Sequence, residues 1–198
     1  MSNGFALFLD GGRVRAQAHG TEAGRRLVAC AEDAGIRVLL YGRLYYRQEL
    51  ATAIAADAPA PGDDAALALA SYRKFGIEGI ERLEGDFAVA VVDTEAARIV
   101  VSRDPMGGYP LFWTQAGGRL GIATCLRPLD DLAGGASPDL GFLGEIQMMP
   151  FFEIDYLDRS ALSGIHRLVP GTLLVADIRT GATELRRFWN WTDRIDDS

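Results

Sequence analysis

Four short apolar segments stand almost end to end between residues 87 and 125: FAVAVVD (87–93), RIVVSRD (98–104), YPLFWTQ (109–115) and RLGIATC (119–125). The connectors between them are TEAA, PMGG and AGG, too short to hold a helix. Runs of this length, alternating or continuously apolar and bounded by turn residues, read as strands. Connectors this short join neighbouring strands head to tail, so the spacing predicts an antiparallel meander.

The flanking sequence adds helices and further strands. GFALFL (4–9) followed by the turn signal DGG (10–12) predicts a hairpin over 4–17. Residues 21–34 carry helical spacing with Gly35 as a stop, and IRVLLYG (36–42) reads as strand. A helix is expected over 45–56, broken by the prolines of DAPAPGDD. Asp63 is placed to cap the next helix, whose Ala66, Leu67, Leu69, Ala70 and Phe75 give an apolar face. Short helices at 126–132 and 139–148 and a hairpin over 171–189 around RTG complete the reading. Helices before a strand-rich stretch, with strands at both ends, indicate an α+β layered fold.

Composition narrows the partners. The chain has 198 residues, 48% hydrophobic, enough for one domain with a proper core. No apolar run approaches the roughly 20 residues of a membrane helix. The opening MSNGFALFLDGG lacks a basic n-region and its apolar run is too short for a signal peptide, so a soluble, cytoplasmic protein is expected. A net charge of −7, with Lys74 the single lysine, argues against nucleic acid as main partner. Cys30 and Cys125 fit no metal spacing and no disulfide framework; both are expected to be buried structural thiols, Cys30 on the inner face of the 21–34 helix. His19 and His166 have no nearby set of triad partners and read as surface residues. FLGEIQMMPFFEIDYLD (142–158) reads as core helix plus turn, with a docking surface as the alternative; Trp113, Trp189 and Trp191 read as packing residues, the last two also placed to cover an interdomain seam.

A set of motifs in fixed order carries more. LYGRLYYRQEL (40–50) is similar to VNGEIYNHxxL, GDDAALALASYRKFG (62–76) to GSDxExILxLYxxxG, and LEGDFAVAVVD (83–93) to LxGMFAFALWD. SRDPMGGYPLFW (102–113) is similar to xRDxxGxxPLYY, IATCLRPL (122–129) to FASExKAL, SGIHRLVPGTLL (163–174) to xxIxxLPPGxxL, and RRFWNW (186–191) to the closing xxYWxx. In this order the chain resembles the N-terminal glutaminase-type domain of the asparagine synthetase family, a class II glutamine amidotransferase. The resemblance covers residues 40–191. It implies a four-layer αββα sandwich of antiparallel sheets, with residues 1–191 forming the domain and 192–198 a linker or tail.

The departures bear on activity. The family's glutaminase uses a cysteine exposed as the mature N-terminus, in MCGI, whose α-amine serves as base. Here Asn3 stands at that position, and an amide is no nucleophile. Ser2 would be exposed by removal of Met1 and is a candidate nucleophile, one residue out of register. The RGPD loop that grips the substrate carboxylate has no counterpart. In the NGE motif the asparagine that stabilises the oxyanion is Tyr41, with Gly42 retained and Arg43 replacing the glutamate. Asp64 matches the aspartate that binds the glutamine amine, though a carboxylate at a helix start has its own reason to be there. Asp64, Gly42 and Tyr41 are thus the remnant of a substrate site, and no catalytic residue is assigned beyond the Ser2 candidate.

The pattern is that of a degenerate glutaminase domain of an ATP-dependent amide-forming synthetase, resembling lasso-peptide cyclases and, as the alternative, β-lactam or carbapenam synthetases. In both, an amine of the substrate attacks an adenylated carboxylate, so no ammonia is needed. The synthetase loop SGGLDS has no match; AGGAS (133–137) is the nearest string and reads as a turn. The resemblance therefore implies no cofactor or metal in this chain, ATP and magnesium in a partner synthetase domain or subunit, and a precursor peptide as a possible further partner. An N-terminal-serine amidase using Ser2 and a stand-alone binding module are the alternatives from other classes.

Overall fold

The computed structural model describes residues 3–19, 28–54, 63–148 and 158–190. Strands β1 (Gly4–Asp10) and β2 (Arg13–His19) form the opening hairpin, turning at Gly11 and Gly12 with positive φ. Strands β3 (Val28–Asp33) and β4 (Ile36–Leu44) form a second hairpin. This corrects the helix expected over 21–34: residues 28–33 are strand, and residues 20–27 lie outside the described residues. Ala34 and Gly35 both have positive φ, as a two-residue hairpin turn requires, so Gly35 turns a hairpin rather than stopping a helix. Cys30 is consequently exposed on an edge strand instead of buried on a helix.

Helices α1 (Arg47–Ile54), α2 (Asp64–Phe75) and α3 (Ile77–Glu81) follow. Asp63 caps α2 as its position predicts, its carboxylate accepting the Ala66 N–H at 3.1 Å. Gly76, at φ +63, ends α2 by donating its N–H to the Tyr72 carbonyl at 2.7 Å. Then come β5 (Gly85–Asp93), β6 (Arg98–Arg103), β7 (Phe112–Ala116), β8 (Arg119–Ala123), helices α4 (Arg127–Ala133) and α5 (Leu140–Met148), and strands β9 (His166–Arg167), β10 (Thr172–Asp177) and β11 (Thr183–Arg187).

The strands make two antiparallel sheets, one ordered β2-β1-β8-β7-β9 and the other β11-β10-β6-β5-β4-β3. The expected meander is therefore divided. β5 pairs with β6 in the larger sheet and β7 with β8 in the smaller, and residues 104–111 carry the chain across. A short connector fixes adjacency in sequence but not membership of one sheet, because a chain can turn a corner onto a facing sheet whose inner side is equally apolar.

The residues of β5 show why the sheets stack. Alternate residues of a strand point to opposite faces. Phe87, Val89 and Val91 join Leu50, Ala51, Leu67, Ala68, Tyr72 and Ile80 in a core between the larger sheet and α1–α3. Ala88, Ala90 and Val92 join Phe5, Leu7, Leu39, Ile99, Val101, Leu120, Ile122 and Leu174 in the core between the sheets. A third cluster, Ala6, Phe112, Ala123, Leu129 and Ile165, seats α4 on the outer face of the smaller sheet. The order of layers is helix, sheet, sheet, helix: an α+β sandwich, with β5 continuously apolar because both of its faces are covered.

The corner at 104–111 is held by two side chains. The buried Arg103 guanidinium donates to the carbonyls of Tyr109 and Gly107, each at 2.6 Å, and of Leu168 at 3.4 Å. The Asp104 carboxylate accepts the N–H groups of Gly108 and Met106 at 2.9 Å and of Phe87 at 3.2 Å. Arg103-Asp104 therefore satisfies the backbone groups that a chain leaving one sheet for another would orphan. Burial pushes the Asp104 carboxyl up from its ordinary value against the pull of those three N–H donors. Among the described residues no helix is long and apolar enough to cross a membrane.

Candidate functional site

Asn3, half-buried, directly precedes β1, an inner strand flanked by β2 and β8. The entry to β1 is tightly built. The Phe5 N–H donates to the Thr124 hydroxyl at 3.1 Å, and the Thr124 N–H donates to the Phe5 carbonyl at 3.0 Å. Gly4 sits at φ +144, and a Cβ there would lie 1.7 Å from the Thr124 Oγ1. Only glycine lets the chain reach this strand end with Thr124 in place. Ser2 lies outside the described residues.

Tyr41 and Gly42 are on β4. Tyr41 packs against the inter-sheet core, its ring edge-on to Tyr109 with centroids 4.5 Å apart. Burial, with the neighbouring Tyr109 phenol, holds the Tyr41 hydroxyl above its ordinary value, so it stays neutral and polar in a largely apolar seam. Gly42 faces Phe87 at φ +121, and a Cβ there would lie 2.1 Å from the Asp86 carbonyl oxygen. Close backbone approach is thus enough to require glycine at 42.

Asp64 opens α2 and is 7% exposed. One carboxylate oxygen accepts the Leu44 N–H at 2.9 Å and the other lies 3.0 Å from the Arg47 Nε. The carboxylate ties the start of α2 to the end of β4, two residues beyond Gly42, and to the first residue of α1. Asp64 and the Tyr41-Gly42 pair are therefore linked through one strand end, with one Asp64 oxygen hydrogen-bonded to Leu44 and the other in ion-pair contact with Arg47 but accepting no hydrogen bond.

Two features escaped the sequence. The Cys125 sulfur lies 3.7 Å from the His19 Nε2, a pairing of residues 106 apart that no local spacing announces. His19, expected at the surface, is the half-buried last residue of β2, and Cys125 is half-buried rather than buried. His166 stacks on Trp113 across β7 and β9, ring centroids 4.9 Å apart. Ala133–Ser137 forms the end of α4: the Gly135 N–H donates to the Asp130 carbonyl at 3.0 Å and the Ala136 N–H to the Asp130 carboxylate at 2.6 Å. With its amides spent on Asp130, this stretch does not fit a phosphate cradle. Among the described residues no three His, Cys, Asp or Glu side chains are grouped to hold a metal ion.

Comparison with known proteins decides the family. Residues 16–189 match the family model described as a glutamine amidotransferase domain. The chain belongs to that family. This amidotransferase domain is 38% identical over 98 residues to a Mycobacterium tuberculosis protein named as a glutamine-hydrolyzing asparagine synthetase, matching 48% of this chain and 15% of that protein. It is 28% identical over 137 residues to the amidase chyE of Penicillium rubens, matching 69% of this chain and 19% of that protein. The chain thus spans less than a fifth of the length of these curated relatives. In fold it resembles the glutamine phosphoribosylpyrophosphate amidotransferase of B. subtilis, with a TM-score of 0.54 and 14% identity over 94% of this chain and 43% of that one. The glutamine amidotransferase family and the likeness to an asparagine synthetase agree with the ordered motifs.

Proposed function

We propose that this domain has lost glutamine hydrolysis and serves as the non-catalytic amidotransferase-like part of an ATP-dependent, amide-forming synthetase acting in the cytoplasm. The observation that carries the reading is the entry to β1. Asn3 occupies the place where the family's cysteine is expected, and an amide cannot attack a carbonyl carbon. Tyr41 replaces the expected oxyanion donor, and the Asp64 carboxylate is turned to the Leu44 N–H and the Arg47 guanidinium. The curated relatives are several times longer than this chain, which suits a domain that works beside a synthetase domain or subunit.

In that arrangement the partner binds ATP and magnesium and adenylates a carboxylate. The amidotransferase-like domain supports it and shapes the entry for the substrate. A substrate whose own amine attacks the adenylate needs no ammonia, which removes the requirement for a glutaminase. Isopeptide closure of a lasso-type precursor peptide is the reaction we favour, with β-lactam closure as its counterpart. The test is reconstitution with the synthetase carrying an SGGxDS loop that is encoded beside or beyond this reading frame. Product formation that needs ATP and both proteins but not glutamine is expected. A reaction that stalls without glutamine would overturn the reading.

A further inference from the structure

The entry to β1 brings a thiol and an imidazole together. His19 closes β2 directly across from Gly4. Cys125 follows Thr124, the residue whose amide and hydroxyl hold Phe5. The two side chains come from opposite sides of β1: His19 ends β2, and Cys125 lies just past β8, the strands that flank β1. The Cys125 sulfur and the His19 Nε2 are 3.7 Å apart, within hydrogen-bond reach for sulfur, and both residues are half-buried. A nucleophile next to a base is the arrangement that activates a thiol.

We propose that Cys125 and His19 form a nucleophilic thiol–imidazole pair that accepts an acyl group from an activated ester or thioester. The inference goes beyond the loss of glutaminase and rests on the same absence of a nucleophile at residue 3. It places a thiol beside the strand end where the family carries one, but delivers it from the segment just past β8. With the ring proton on Nδ1, the His19 Nε2 takes the thiol proton. The sulfur attacks the carbonyl carbon, the S–C bond forms, and the C–O or C–S bond to the leaving group breaks. The leaving oxygen or sulfur receives the proton from His19. The products are a Cys125 thioester and a free alcohol or thiol, with no redox change.

The test uses 4-nitrophenyl acetate on the intact chain, with acetylation at each cysteine followed by peptide mass spectrometry. Cys30 is the internal control, because it is the more exposed thiol. Exposure alone predicts that Cys30 reacts first. The pair predicts that Cys125 reacts faster by at least about tenfold, a floor set below the roughly hundredfold that a well-positioned base supplies. His19→Ala should bring the Cys125 rate down to that of Cys30 and leave Cys30 unchanged; His19→Gln, closer in shape, repeats the comparison if the alanine variant folds poorly. A wild-type Cys125 rate at or below that of Cys30, or one indifferent to His19, overturns the proposal. Ammonia from glutamine is measured separately: its release, abolished by Cys125→Ser, would overturn the loss of glutaminase while leaving the pair standing.

Discussion

At the scale of single residues, the motifs that mark the family do structural work. Arg103 and Asp104 are a buried brace for the chain crossing between sheets, making six bonds to backbone groups. Arg103→Ala leaves three carbonyls without their donor and should cost about 3 kcal/mol in urea unfolding, since bonds to charged groups are the stronger ones. Arg103→Lys should recover only part, because an ammonium cannot reach carbonyls arrayed around a planar fork. Tyr72 illustrates a different effect. Its hydroxyl donates to Asp93 at 2.9 Å and accepts from the Arg98 Nε at 2.8 Å, and burial, with the Asp93 bond, pushes it up to about 12. A group raised in the folded state holds its proton more tightly there. Its stabilising contribution is complete below the ordinary value of 10.0 and is lost as pH rises toward 12. Stability should therefore fall between pH 10 and 12, and Tyr72→Phe should flatten that fall in a chemical-denaturation series.

At the scale of elements, β5 joins two cores, and its two faces should respond differently to substitution. Phe87, fully buried against the helices, should cost about 3–5 kcal/mol as Phe87→Ala, the range for a large aromatic lost from a core. Ala88 points the other way, between the sheets, where its small size sets the spacing. Ala88→Leu should cost about 1–3 kcal/mol by overpacking. Thermal unfolding of the two variants checks both signs. The elements also show what was legible in advance. The caps and turns were local and readable: Asp63 before α2, and the turn signal after β1. The 28–33 strand was not. It is an edge strand with one covered and one wet face, and its polar positions imitate helical spacing. The division of the four apolar runs between two sheets was hidden for another reason. Which sheet a strand joins is decided by Arg103 and Asp104 and by inter-sheet packing, and neither leaves a period in the sequence.

At the scale of the whole molecule, the proposal is that fold and chemistry have separated. The αββα sandwich stands on cores that require nothing at residue 3. The fold and the family were readable because six or seven motifs fell in order, each tied to a turn or a core position. The candidate site was less so. Asn3, Tyr41 and Asp64 could be placed by resemblance, but the ties of Asp64 to Leu44 and Arg47 and the meeting of Cys125 with His19 depend on contacts between distant segments. We propose that the amidotransferase frame persists here without its glutaminase. Ammonia release from L-glutamine by the purified protein should stay at background, with or without Ser2→Ala; turnover that Ser2→Ala abolishes would show that the glutaminase survives.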